Sequence, residues 1–83
     1  MNAYKMTDSE WFKQFDETSE SFKWFIKEHY PLAWDELLRL RELELHSAMI
    51  SLMSEMWYYL PDDKFNIKVN PKGWNEFLAL IED

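Results

Sequence analysis

Eighty-three residues, 47% hydrophobic and 18% aromatic with no cysteine, make one domain with a modest core and exclude disulfides and thiolate metal sites. The net charge of −7 disfavours direct nucleic-acid binding, which draws its affinity from lysine and arginine neutralising phosphates. No apolar run is long enough for a membrane span, the opening Met-Asn-Ala-Tyr-Lys-Met lacks a signal-peptide core, and a cytoplasmic location is expected.

Residues 1 to 6 are short and alternate Tyr4 and Met6 with Ala3 and Lys5. Thr7 and Glu10 then have the spacing of a capping box, with Met6 and Trp11 placed to form a hydrophobic staple across it. Trp11, Phe15, Phe22, Phe25, Ile26 and His29 share one helical face. Thr18, Ser19 and Ser21 interrupt it with poor helix interiors, and a break or second cap would fall there. The reading adopted is one helix from about 8 to 29, ended by Pro31.

Pro31 fits a first helical position, and Asp35 and Glu36 follow near the positive end of the helix dipole. The spacing predicts one long helix over 31–60, stopped by Pro61. Its main stripe collects Trp34, Leu38, Leu45, Met49, Leu52, Met56 and Leu60, and a second arc holds Leu43, Ile50 and Trp57. A helix apolar over so wide an arc needs cover from at least two other elements, which makes it the central one. The Met49, Met53 and Met56 group reads as plain core.

After Pro61 the period changes to two. Phe65, Ile67 and Val69 alternate with polar residues, predicting an extended segment at 64–69. Asn70 and Pro71 then make an N-cap and first position for a helix over 71–82, with Trp74, Phe77, Leu78 and Ile81 on one face. The expected fold is therefore mainly α: a small three-helix domain with a long central helix and one short extended segment.

Chemistry is sparse. His46 follows Glu42 at a two-ligand spacing, but no second pair completes a metal site. Glu17 and Glu20 match the first half of the E-x-x-E magnesium motif of all-helical nucleotide pyrophosphohydrolases. No second carboxylate pair follows at that spacing, so both read as solvated surface. No serine or threonine is framed by glycines, and one glycine cannot build a phosphate-cradling loop. No catalytic residue, metal or cofactor is expected.

Surface recognition remains. Trp24 falls opposite the apolar face, among Lys13, Glu17, Glu20 and Lys27, and tryptophan is enriched at binding hot spots. Glu10, Glu17, Glu20 and Glu28 share the solvent side with it. Leu40 and Leu43, outward beside Arg39, Arg41, Glu42 and Glu44, resemble the seam of a helical homodimer. The expectation is a non-catalytic protein-binding module: a small acidic inhibitor of the phage type, mimicking DNA or blocking a basic cleft of a larger enzyme or nucleic-acid-handling complex. The warrant is analogy of size and charge. The alternatives are a structural homodimeric adaptor and a small helical metal-dependent hydrolase.

Overall fold

The computed structural model describes residues 6–60 and 70–81. It holds α1 (Asp8–Asp16), α2 (Glu20–His29), α3 (Ala33–Glu42), α4 (His46–Tyr58) and α5 (Pro71–Ile81). These helices take in 79% of the described residues, and no strand occurs among them. The mainly α expectation holds. The three-helix arrangement does not, because each of the two long predicted helices, 8–29 and 31–60, is divided in two. The predicted extended segment at 64–69 lies outside the described residues.

α1 begins where its cap predicts. The Thr7 hydroxyl oxygen accepts from the Glu10 N–H at 3.2 Å, and the hydroxyl donates to the Glu10 carboxylate at 3.0 Å. Met6 and Trp11 both join the core. The chain then leaves the helix at Glu17, because Thr18 and Ser19 offer the backbone other partners. The Thr18 hydroxyl donates to the Phe15 carbonyl at 2.8 Å. Ser19 caps α2, accepting from the Phe22 N–H at 3.4 Å. Glu76, on α5, secures this cap: its carboxylate accepts from the Ser19 N–H at 2.9 Å and also from the Ser19 hydroxyl. The apolar face survives the interruption, with Trp11, Phe15, Phe22, Phe25 and Ile26 all buried.

α2 and α3 are joined by a tight turn. The Ala33 N–H bonds back to the Tyr30 carbonyl at 2.9 Å, and Leu32 has φ −91 and ψ −13. These are the marks of a type I turn with proline at its second position. Pro31 thus belongs to the turn and α3 starts two residues later, leaving Leu32 exposed. The Tyr30 hydroxyl donates to the Met56 carbonyl near the end of α4. Burial pushes that hydroxyl above the ordinary tyrosine range.

The second division, between α3 and α4, is a Schellman turn. Glu44 adopts φ 56, the left-handed region. The Leu45 N–H bonds to the Leu40 carbonyl and the Glu44 N–H to the Arg41 carbonyl, each at 3.0 Å. This turn overturns the continuous stripe drawn through 31–60, since it resets the rotation of the chain. Leu38 and Leu45, placed on the core side, are 44% and 46% exposed. Leu37 and Leu40 of α3, with Met49, Ile50, Met53 and Met56 of α4, form the buried set instead.

α5 packs most extensively against α2, and the contact runs backbone to side chain. The Asn70 amide donates to the Ser21 carbonyl at 2.8 Å, and Gly73 is buried against the same carbonyl. Phe77 and Leu80 of α5 enter the core fully. The Trp11 indole N–H donates to the Leu80 carbonyl at 2.9 Å, which satisfies the polar edge of a buried ring and a carbonyl in the last turn of α5. No helix among the described residues is long and apolar enough to cross a membrane.

Candidate functional site

Four of the five tryptophans are engaged with other aromatic rings. Trp11 stacks on Phe15, with ring centres 5.8 Å apart, and Trp34 stacks on the same phenylalanine at 5.9 Å. Trp57 and Trp74 face each other at 6.4 Å across α4 and α5. Trp24 is the exception. It is 42% exposed on α2 and has neither a ring contact nor a hydrogen bond among the described residues.

The helical period explains why. α2 turns Phe22, Phe25 and Ile26 inward, which leaves Glu20, Trp24, Lys27 and Glu28 on the opposite, exposed face. Glu20 and Glu28 stand one turn before and one turn after the indole. Beside Trp24 lies a hollow lined by Glu20, Ser21 and Asn70. One lining residue is held in place, because Asn70 is buried and bonded to the Ser21 carbonyl. Lys23, next along the helix, places its ammonium 3.2 Å from the Glu20 carboxylate.

Glu10 and Glu17 do not share that face. They border a different hollow with Lys13, Gln14, Thr18 and Glu76. The break at Thr18 separates the two acidic regions, so the single face expected over one helix becomes two. Glu76 belongs to this second region and carries no local sequence signal. Its role as the outside partner of the Ser19 cap depends on α5 returning to α2.

Of the two leucines predicted to face a partner, Leu40 is buried at 8% exposure and is withdrawn from the surface. The Schellman turn accounts for this, because it ends α3 just beyond Leu40 and folds α4 back over it. Leu43, in the turn itself, is 55% exposed and neighbours exposed Leu45.

Both arginines are engaged by carboxylates of the same chain. Arg41 grips Asp16 through two bonds, Nε to Oδ1 at 2.9 Å and Nη2 to Oδ2 at 2.8 Å, and lies 4.4 Å over the Phe12 ring. That guanidinium keeps the Asp16 carboxyl below the usual carboxylate range. Arg39 pairs with Glu36 a turn earlier. Glu17 and Glu28 meet no cation among the described residues.

His46 directs Nδ1 to the Asp8 carboxylate at 3.0 Å, and its ring packs edge-on against Trp11 at 4.9 Å and Phe12 at 5.7 Å. Glu17 and Glu20 stand on either side of the helix break, so they do not form the one-face pair that an E-x-x-E site needs. No group of three side chains suited to a metal ion occurs among the described residues. Comparison with protein-family models, with curated proteins and with solved structures returns no match.

Proposed function

We propose that this chain is a non-catalytic protein-binding module that docks through the α2 face centred on Trp24 and blocks a basic surface of a larger protein. The observation that carries this reading is the exposed indole between Glu20 and Glu28, which has no ring or hydrogen-bond partner among the described residues. In a fold whose other tryptophans all have ring partners, this one leaves part of its apolar surface open to solvent. Burying such a ring within a rim of charge is how binding hot spots are built. The surplus of carboxylates steers the module toward positive surfaces, and Glu10 and Glu17 extend that field without sharing the contact. An enzyme or nucleic-acid-handling complex with a basic cleft is the target class this chemistry suits, and inhibition by occupancy is the mode of action.

Affinity capture with three baits tests this: the wild type, Trp24→Ala, and the double reversal Glu20→Lys with Glu28→Lys. The expected result is a protein with a basic surface that the wild type retains and both variants lose. Equal capture by all three folded baits would remove α2 as the docking face.

A second reading, self-association, draws on the exposed leucines Leu43 and Leu45 at the α3–α4 corner. With Leu40 buried, that seam is narrower than the sequence suggests.

A further inference from the structure

We propose that the hollow beside Trp24 receives one arginine side chain of the partner, an inference that rests on the docking face above and specifies its chemistry. The hollow brings together an exposed indole, the Glu20 carboxylate and the buried Asn70. A guanidinium is planar and weakly hydrated. It stacks on an indole while its edge donates to a carboxylate, a combination that the compact ammonium of lysine does not offer. Glu20 stands one turn before Trp24, where a group lying on the ring reaches the carboxylate.

Glu20 already attracts a cation. Lys23 holds it at 3.2 Å, but the Glu20 side chain is 90% exposed, so this pair is loosely held and displaceable. Lysine serves as a placeholder there: its compact, strongly hydrated ammonium reaches the carboxylate without covering the ring. An apolar side chain would cover the ring but make no use of the Glu20 carboxylate. An acidic one would be repelled by both Glu20 and Glu28. Charge complementarity and shape therefore favour arginine over lysine.

The test is titration of the isotope-labelled full chain with an oligoarginine peptide, following the Trp24 indole N–H by NMR, against oligolysine and neutral oligocitrulline of equal length. Oligoarginine should move the signals of Trp24, Glu20 and Asn70 and bind about threefold or more tighter than oligolysine, the scale of an exposed cation–π contact. Trp24→Ala and Glu20→Gln should each weaken oligoarginine by a similar factor, and Lys23→Ala should tighten it. Glu55→Gln, which removes one exposed charge from α4, should change little. Equal binding of the two cationic peptides, an unmoved Trp24 signal, or equal loss in Glu20→Gln and Glu55→Gln would overturn the arginine assignment. If Trp24-dependent capture of a protein survives such a result, the docking face stands and only the arginine falls. If oligoarginine binds as expected while capture ignores Trp24, the docking face falls.

Discussion

Gly73 of α5 sits so close to Ser21 of α2 that a methyl group on it would meet the Ser21 carbonyl carbon and the Asn70 side-chain nitrogen at 2.8 Å each. Contacts that short do not occur, and the obstacle on the Ser21 side is backbone, which cannot rotate away. Helix propensity alone would reward Gly73→Ala by about 1 kcal/mol. The overlap opposes this with a cost of about 1–3 kcal/mol and forces the Asn70–Ser21 bond apart as well. The expected outcome is a lower urea midpoint. A midpoint at or above that of the wild type would show that α2 and α5 separate freely.

Glu44 carries a side chain in a conformation that favours glycine. Relieving it should stabilise the fold: Glu44→Gly is expected to gain about 1 kcal/mol, raising the thermal midpoint by several degrees. Glu44→Ala removes the same charge but keeps the Cβ, so it should show no such gain. Equal midpoints for the two variants would mean that the left-handed turn is not strained.

The Asp16–Arg41 pair ties α1 to α3 and depends on pH in one direction. Its folded carboxyl lies below the unfolded value because Arg41 bonds the ionised form. The pair therefore contributes fully above about pH 4, and its contribution is lost as pH falls through the folded value. The side chains are partly exposed, so the gain at neutral pH is at most about 1 kcal/mol. Denaturation of wild type and Asp16→Asn should differ by that margin at pH 7 and converge in acid. A gap that persists once the folded carboxyl is itself protonated would locate the effect of Asp16 outside its charge.

Leu40 and Leu43 separate core from surface. Leu40→Ala should cost about 2–5 kcal/mol, as aliphatic truncations in cores do, whereas Leu43→Ala should stay within about 0.5 kcal/mol. Sedimentation of the wild type and of Leu43→Glu then decides the second reading. A dimer that becomes a monomer on substitution supports self-association, and identical sedimentation removes Leu43 from any seam.

The boundary signals of this chain were legible where a side chain and its partner are close in sequence. Thr7 with Glu10, and Asn70 with Pro71, mark the starts of α1 and α5 as the spacing predicts. The buried face of α1 and α2 was legible too, because the break at Thr18 happens to preserve the facing of Trp11, Phe15 and Phe22. The corner at Glu44 was not. A Schellman turn usually announces itself with glycine or asparagine, and here a glutamate fills that position among leucines. A stripe drawn as though the helix continued puts Leu38 and Leu45 in the core and, with Leu40 read as outward, has all three on the wrong side. The division at Ser19 was visible as a weakness in the sequence. What secures it, the Glu76 carboxylate, comes from 57 residues away and leaves no trace in local pattern. For the candidate site, the sequence singled out Trp24 with Glu20 and Glu28. The contribution of Asn70 needed the α2–α5 crossing to be known.

The Trp11–Leu80 bond spans 69 positions and bears on how the chain acquires its fold. While the chain emerges from the ribosome, α1 has neither the acceptor for its indole nor the carboxylate that seals the following cap, since both arrive with α5. An N-terminal fragment ending after α4 would leave that indole N–H without its acceptor and the face of α2 uncovered by Phe77 and Leu80. The closing helix thus works as a latch: docking of α5, rather than the appearance of the first helices, sets the moment at which this domain becomes resistant to proteolysis.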